Sequence, residues 1–389
     1  MSRIAMFGGT FNPPHRGHVE AARACVRALA LDCILLMPAG IPPHKQLPAN
    51  TPSAVHRLRM TELCAREIEH ARVCTLELER EGKSYTADTV RELKKRFPDD
   101  TLWLVVGDDM LESFARWREP ESIAAICRLA ALQRKPEKER DIERAAQQLR
   151  LSIGARVDIV KNPVLPLSST QYREGQNGEM LLETVQRYIC HHGLYRPRPA
   201  LDEVRLRMGR ILSDRRLQHT LRVEQEAAEL ARIWKEDEYE ARLAALLHDC
   251  AREMPVEKQL NLLEKYGIII QYDSKEYPQL LHALTGSVLA LREYGAPPSV
   301  AQAIRSHTLG SPGMSLLDKI LFIADSIEPG RAYPGLEQLR EKARRDLDSA
   351  VIDNMEQTCA YVCAQGKRPH PDAYLALDAM KREKNNERA

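Results

Sequence analysis

The sequence predicts two folded domains, first an α/β domain with an open, mainly parallel sheet and then an all-α helical bundle. The chain has 389 residues, more than one domain usually contains, and 43% of them are hydrophobic, which is enough for two cores. Between Arg3 and about Lys161, short apolar runs alternate with helical patterns, as in α/β sheets. From Leu201 to Met380 the pattern is helical throughout.

The elements follow in order along the chain. Six apolar runs predict strands: RIAMFGG, CILLMPAG, VCTLELE, TLWLVVGDD, CRLAALQR and RVDIVKN. Runs such as RLQHTLRVEQEAAELARIW and EYEARLAALLHDC predict the helices of the second half. The segment Arg196–Pro199 is rich in proline and predicts the boundary, with domains at 1–197 and 198–389. The charged end, residues 381–389, predicts a flexible tail.

Composition restricts the partners and the compartment. With 57 Lys and Arg against 55 Asp and Glu, the chain offers no broad basic surface for nucleic acid or membrane lipid. Nine cysteines without a CxxC pair indicate a reducing compartment, and the first residues contain neither a signal peptide nor a membrane span. We therefore expect a soluble cytoplasmic protein without nucleic-acid or membrane partners. A homo-oligomer is compatible with the sequence.

The first strand runs into a glycine-rich turn and then a helix start, with His15 and His18 at that start. Glycines let the backbone approach a ligand closely, and a helix N-terminus attracts phosphate. Two histidines three residues apart can both face a triphosphate and stabilise charge during phosphoryl transfer. Two surface histidines beside an ordinary turn are the alternative. The turn residues expected to contact a nucleotide are Gly8, Gly9, Thr10 and Phe11.

The stretch GGTFNPPHRGH resembles the HxGH signature of the nucleotidyltransferases, and its fuller form resembles bacterial nicotinate-mononucleotide adenylyltransferases, from Met1 to about Tyr195. The resemblance implies a Rossmann-like nucleotidyltransferase domain in which His15, His18 and Arg173 are catalytic. A second block is similar to the family's S-S-T-x-[IV]-R motif, although Tyr172 replaces the aliphatic residue. Its hydroxyl residues, expected to bind phosphate, are Ser168, Ser169 and Thr170.

Three weaker segments concern the acceptor. Lys45 ends MPAGIPPHK, Thr86 lies in SYTADT, and Asp108 and Trp117 match the family's G-x-D…W pattern. The implied reaction joins ATP and nicotinate mononucleotide into nicotinate adenine dinucleotide and pyrophosphate, with Mg²⁺ accompanying ATP. Another HxGH enzyme, using a pantetheine or choline-type phosphate acceptor or a CTP donor, is the alternative. The sequence leaves open whether nicotinate or nicotinamide mononucleotide is preferred.

In the second half, His248 and Asp249 follow the apolar run LAALL, and Asp325 ends a second apolar helix. A buried, unpaired carboxylate is costly, so a metal ion is an economical partner. The order of these residues resembles the HD phosphohydrolase superfamily, a helical bundle that binds metal between helices. The implied metal ligands are His219, His248, Asp249, His282, His307 and Asp325.

The local sequences are similar to bacterial HD hydrolases that split diadenosine tetraphosphate symmetrically into two ADP. This resemblance implies one or two transition metals, with Asp249 bridging them and acting in catalysis; iron, manganese and zinc all suit these ligands, and iron is expected. Hydrolysis of deoxynucleotides or guanosine alarmones, and a non-catalytic scaffold, are the alternatives. His370 lies outside the pattern and is expected at the surface. The arginines expected to contact substrate phosphates are Arg222, Arg252 and Arg331.

Overall fold

The computed structural model describes residues 1–41, 47–48, 51–133, 139–163, 165, 167–175, 180–270 and 276–388. They form two compact units, Met1–Ile189 and Cys190–Ala389. The proline-rich boundary segment belongs to the second unit. His192 Nδ1 lies 2.9 Å from a carboxylate oxygen of Glu240, and the Tyr239 hydroxyl donates to the Pro199 carbonyl at 2.8 Å.

The first unit alternates strands and helices, as predicted. Its strands are β1 Arg3–Gly9, β2 Cys33–Pro38, β3 Ala71–Val73, β4 Thr101–Gly107, β5 Arg128–Leu132 and β6 Val157–Val160. Its helices are α1 Arg16–Leu29, α2 Ala54–Ala65, α3 Thr86–Arg96, α4 Asp108–Ser113, α5 Pro120–Ile126, α6 Glu139–Ile153, α7 Ser169–Arg173 and α8 Glu183–His191, which continues into the second unit.

All six strands pair in parallel, in the order β3-β2-β1-β4-β5-β6. This confirms the α/β class with its mainly parallel sheet. The chain leaves β1 in one direction to β2 and β3 and in the other to β4, β5 and β6, so β1 and β4 flank a topological switch point. Open α/β sheets bind ligands at the carboxyl ends of the strands at such a point.

One predicted strand is largely wrong. The run VCTLELE begins at Val73, where β3 ends. The chain turns instead, because the backbone N–H groups of Leu78 and Glu79 both donate to the Thr75 carbonyl. The turn carries Glu77, 7% exposed, into the interior beside the carboxyl ends of the strands.

The regular structure described in the second unit is entirely helical, which confirms the all-α class. The helices after α8 are α9 Leu201–Ile211, α10 Asp214–Trp234, α11 Glu238–Leu247, α12 Val256–Lys265, α13 Leu281–Glu293, α14 Pro298–Ser306, α15 Leu316–Ile327, α16 Leu336–Arg345, α17 Leu347–Ala364 and α18 Pro371–Arg388. Helices α11 and α15 are buried along most of their length and pack near the centre of the core.

One expectation about the C-terminal part differs from the structure. Helix α18 continues through residue 388, and the Lys384 ammonium binds the Asp346 carboxylate at 2.7 Å, while the flexibility expected of residues 381–389 stays a prediction. His370 is not a surface residue: it is 8% exposed, it accepts a hydrogen bond from the Asp372 N–H, and its ring packs edge-on against Tyr277. Among the described residues, the helices are all too short or too polar to cross a bilayer.

Candidate functional sites

His15 and His18 lie together where β1 leads into α1. His15 precedes the first helical residue with extended backbone angles, and its N–H donates to His18 Nδ1 at 3.1 Å. The two ring centroids are 3.8 Å apart, and the Phe11 ring lies 5.1 Å from that of His18. Because His18 Nδ1 accepts a hydrogen bond, the neutral ring carries its proton on Nε2. His18 is therefore prepared to donate to an anionic ligand.

Gly17 is required by the His15 ring. A β-carbon at Gly17 would lie 2.9 Å from His15 Nδ1 and 3.0 Å from Cε1, closer than carbon atoms normally approach. The imidazole of His15 can keep its position only if residue 17 has no side chain. This packing explains the glycine between the two histidines of the signature.

We expect Gly17→Ala to lower the turnover number of the first unit without lowering its stability. Alanine displaces the His15 ring, and a misplacement of about 1 Å can cost roughly 100-fold in rate. The same exchange within a helix otherwise stabilises by roughly 0.5–1 kcal/mol. Steady-state kinetics together with thermal unfolding separate the two effects. A variant with wild-type turnover would show that the ring position is unimportant.

The Ser168–Arg173 block lies against the turn that precedes His15. Ser169 Oγ donates to the Pro13 carbonyl at 2.8 Å, and Arg173 Nη1 donates to the Asn12 carbonyl at 2.5 Å. Arg173 Nη2 also donates to Thr170 Oγ1 at 3.0 Å. Ser168 begins α7 by accepting the Gln171 N–H. The two motifs, more than 150 residues apart in sequence, are thus brought together at one edge of the sheet.

A cavity of about 250 Å³ opens at the carboxyl ends of β1 and β4. Of the predicted residues, its lining includes Gly8, Gly9, Thr10, Thr86 and Trp117. Trp117 packs on Phe114, with ring centroids 5.2 Å apart. Asp108 is buried at the start of α4, where it accepts the Asp109 N–H, and it is not among the lining residues. Lys45 lies outside the described residues.

Sequence reasoning missed several cavity residues. The Arg118 guanidinium stacks over the Tyr85 ring, 4.5 Å from its centroid, and both residues line the cavity.

Arg57, 3% exposed, donates to the Ala39 carbonyl at 2.6 Å and to the Thr10 carbonyl at 3.0 Å. It therefore ties together the loops that follow β1 and β2. The sequence does not reveal this role of Arg57, because its partners are backbone carbonyls that are distant from it in sequence.

The second unit brings its six predicted metal ligands into one buried cluster. They come from α10, the ends of α11 and α14, the start of α13, and α15. His219 Nε2 lies 3.1 Å from Asp325 Oδ1, and His248 Nε2 lies 3.3 Å from Asp249 Oδ2. His282 Nε2 lies 3.4 Å from Asp249 Oδ1 and 3.2 Å from His307 Nε2. Asp249 oxygens lie within 3.8 Å of the Nε2 atoms of three histidines, His219, His248 and His282.

Two overlapping triads have spacings that can hold metal ions. In each triad one ligand atom per residue lies within 4.8 Å of the others. The first consists of His219, His248 and Asp325, and the second of His248, Asp249 and His307. Within the described residues, the buried Nε2 atoms of His219 and His248 make no hydrogen bond. Buried polar atoms without partners are costly, and a bound cation would satisfy them.

The opposite nitrogen of each of the four histidines is held by an acceptor. His248 Nδ1, His282 Nδ1 and His307 Nδ1 each lie 2.6 Å from the backbone carbonyl three residues earlier. His219 Nδ1 lies 3.2 Å from a carboxylate oxygen of Glu328. Carbonyl and carboxylate oxygens only accept hydrogen bonds, so Nδ1 of His219, His248 and His307 carries a proton. His282 Nδ1 has a donor as well as an acceptor beside it, because Arg252 Nη1 lies 2.9 Å away. When the first three rings are neutral, Nε2 is free to bind a metal, as metal-binding histidines require.

The electrostatics of the cluster differ from ring to ring. Burial lowers the pKa of His282 to about 3, so this ring is neutral near pH 7, and burial also lowers the pKa of His307. Their Nε2 atoms lie 3.2 Å apart, close enough for both to contact one cation. Burial alone would lower the pKa of His248, but the Asp249 carboxylate outweighs it and raises that pKa to about 9. These nitrogen and oxygen donors fit a transition metal.

Arginines surround the cluster. Arg331 Nη2 donates to Asp325 Oδ1 at 2.8 Å, and Arg252 Nη1 donates to the Gln279 carbonyl at 3.2 Å beside His282. Arg216, which sequence reasoning missed, donates to Asp249 Oδ2 at 2.8 Å. Its position three residues before His219 places both on one helix face, a signal that could have identified it. Arg222 binds Glu328 instead of a metal ligand.

Comparisons with known proteins identify a family for each half of the chain. The cytidylyltransferase-like family model matches residues 6–175, and the HD domain model matches residues 216–330. An Exiguobacterium sibiricum protein named "Probable nicotinate-nucleotide adenylyltransferase" is 36% identical over 172 residues, 44% of this chain and 85% of that protein. A Halalkalibacterium halodurans protein named "Bis(5'-nucleosyl)-tetraphosphatase, symmetrical" is 36% identical over 171 residues, 43% of this chain and 90% of that protein.

A solved Clostridium acetobutylicum structure, described as a "predicted HD superfamily hydrolase involved in NAD metabolism", is 34% identical and covers 48% of this chain and 100% of its own, with a TM-score of 0.47. The identities and coverage of the two sequence relatives establish the families. The chain therefore joins a cytidylyltransferase-like nucleotidyltransferase domain, homologous to nicotinate-nucleotide adenylyltransferases, to a C-terminal hydrolase domain of the HD family.

Proposed function

We propose that the first unit transfers AMP from ATP to nicotinate mononucleotide. The observation that carries this proposal is the meeting of the His15–His18 pair with the Ser168–Arg173 block beside the cavity that contains Trp117. The relatives' printed name supports this acceptor. Arg118 also places positive charge at the cavity, which favours a nicotinate carboxylate over the uncharged amide of nicotinamide.

In this reaction a phosphate oxygen of the mononucleotide attacks the α-phosphorus of ATP. The bond from that phosphorus to the bridging oxygen breaks, and pyrophosphate leaves. Catalysis of such a transfer consists of positioning and charge stabilisation. His18 Nε2–H and the Arg173 guanidinium supply donors, and the Trp117 ring can stack on the pyridine. The Mg²⁺ that accompanies ATP neutralises phosphate charge.

The acceptor is tested with the full chain, labelled ATP and three acceptors offered in parallel. We expect labelled nicotinate adenine dinucleotide and pyrophosphate in equal amounts from nicotinate mononucleotide. Nicotinamide mononucleotide should react more slowly, and phosphopantetheine should not react. Faster transfer to either of the last two compounds would reject the proposed acceptor while leaving the nucleotidyltransferase domain intact.

We propose further that the second unit hydrolyses diadenosine tetraphosphate symmetrically into two ADP with a dinuclear metal centre. The observation that carries this proposal is the buried cluster of four imidazoles around Asp249, in which two triads share His248. The printed name of the Halalkalibacterium relative supports the substrate. Two bound metals would activate water and neutralise phosphate charge.

The residues of the chain have separable tasks in this hydrolysis. The six ligands would hold the metals, and Asp249 has one carboxylate oxygen toward His248 and the other toward His282. Arg216, Arg252 and Arg331 surround the cluster and can bind the four phosphates. A water oxygen attacks one of the two central phosphorus atoms, and the bond from that phosphorus to the central bridging oxygen breaks. The attacked half becomes one ADP, and the other half leaves as the second ADP with the bridging oxygen and takes up the proton released by water. Diadenosine tetraphosphate has two identical halves with two phosphates each, so cleavage at its centre gives two identical products.

The hydrolase is tested by metal analysis of the purified chain and by chromatography of its products. We expect bound iron, manganese or zinc, and ADP as the only nucleotide product. ATP together with AMP would show asymmetrical cleavage and reject the proposed reaction. Faster hydrolysis of deoxynucleoside triphosphates or guanosine alarmones would favour another HD activity. A metal-free protein without hydrolysis would favour a scaffold.

A further inference from the structure

We infer that Glu328 is a positioning residue that, together with Arg222, orients His219 and strengthens its bond to metal. The inference rests on the proposed metal centre but not on the proposed substrate. Glu328 follows the last residue of α15 and is 2% exposed. The sequence analysis does not identify Glu328, because the HD pattern consists of histidines and aspartates and Glu328 is neither.

The Glu328 carboxylate is the centre of a small hydrogen-bond network. It accepts from His219 Nδ1 at 3.2 Å, from Arg222 Nε at 2.5 Å and from the Gly330 N–H at 2.5 Å. The Glu328 carbonyl accepts from Arg340 Nη2 at 2.9 Å, which holds the backbone as well. A buried carboxylate with three donors has one stable orientation. It can therefore hold the His219 ring in one orientation.

Gly330 allows Arg222 to complete this network. A β-carbon at Gly330 would lie 2.5–2.6 Å from three atoms of the Arg222 guanidinium. Arg222 can therefore lie over this segment only because residue 330 has no side chain. Arg222 also follows His219 by three residues on α10, so both point toward Glu328 from one helix face. This contact makes Arg222 a direct partner of Glu328.

His219 differs from the other three histidines in its acceptor. Their Nδ1 atoms meet neutral backbone carbonyls, whereas His219 Nδ1 meets a carboxylate. A negatively charged acceptor makes the opposite nitrogen a stronger metal ligand, and loss of such a partner typically weakens metal binding by about 10–100-fold. The effect should concern the triad that contains His219 and Asp325, and not the triad of Asp249 and His307.

The test compares Glu328→Gln with Glu226→Gln in the full chain. Glu226 lies on α10, is 5% exposed and binds Arg344 at 2.9 Å, so it is a buried carboxylate paired with arginine but remote from the ligands. Metal-stripped proteins are titrated with Co²⁺ in competition with a chelator, and the visible absorption is recorded. We expect Glu328→Gln to weaken Co²⁺ binding by about 10–100-fold at one of two sites, and Glu226→Gln to bind like wild type.

Equal Co²⁺ affinity in Glu328→Gln and wild type would overturn the inference, as would an equal loss in Glu226→Gln. If Glu328→Gln does not fold, Arg222→Lys decides, because it retains the charge but loses the planar fork. Weaker binding in that variant supports the network, and wild-type binding rejects it. A wild-type chain that binds Co²⁺ but leaves diadenosine tetraphosphate intact rejects only the proposed substrate. A wild-type chain that binds no Co²⁺ rejects both.

Discussion

Replacing Asp249 by asparagine is expected to abolish hydrolysis by the second unit. Asp249 lies 3.3 Å from His248 Nε2 and 3.4 Å from His282 Nε2, one carboxylate oxygen toward each. An amide offers only one weaker ligand oxygen, so it cannot bridge two cations. Metal ions contribute several kcal/mol to such reactions, which corresponds to a rate loss on the order of a thousandfold or more.

Asp249→Asn is measured as ADP release together with metal content. Its matched control is Asp318→Asn, because Asp318 is also buried in the bundle, 2% exposed, but its carboxylate accepts the Ser315 N–H at the start of α15. Adenylyl transfer by the first unit reports whether the variant chain remains intact. Full hydrolysis by Asp249→Asn, or an equal loss in Asp318→Asn, would contradict a role for Asp249 at the metal centre.

The second large effect is expected in the first unit when His15 is replaced. The His15 ring lies 3.8 Å from that of His18 at the helix start, where a triphosphate would bind. Removing one preorganised donor to a transition state typically lowers the turnover number by roughly 10²–10³-fold. We expect a loss of this size in dinucleotide formation with little change in hydrolysis by the second unit.

Two variants of His15 distinguish a role of its imidazole in catalysis from a role in starting helix α1. His15 is the residue before the first turn of α1, a position where asparagine is favoured and alanine is not. If the imidazole acts on the phosphates, His15→Asn and His15→Ala lose turnover equally. If His15 matters only for starting the helix, His15→Asn is nearly as active as wild type. Pyrophosphate release under saturating ATP measures both.

The two units have differently built sites for their proposed substrates. The first has imidazoles and an arginine at a helix start, while the second surrounds a cluster of imidazoles and carboxylates with arginines. One set of variants, His15→Asn and Asp249→Asn, can therefore switch off each activity separately in the intact chain. Loss of both activities in either variant would indicate that the two sites depend on each other.

Local patterns in the sequence determined both fold classes and the positions of the main motifs. Alternating apolar runs specify parallel strands, and His15 with His18 lies within one helical turn, so their proximity follows from spacing alone. The resemblance to the HD phosphohydrolases supplied the set of six proposed metal ligands. Within that set, His248, Asp249 and Asp325 also stand out at the ends of apolar helices, where a carboxylate is costly to bury without a partner.

Only the tertiary structure decided which residues support those motifs. Glu328 contacts His219 although the two residues are 109 positions apart, and Arg57 binds carbonyls of loops that are remote in sequence. No periodicity encodes such contacts, since each depends on where the packed elements place a single side chain. The same reason explains the buried His370 and the strand predicted at VCTLELE, where a turn delivers Glu77 to the cavity. The spacing of residues in the sequence specifies local geometry, whereas contacts between residues distant in sequence depend on how the helices and strands pack.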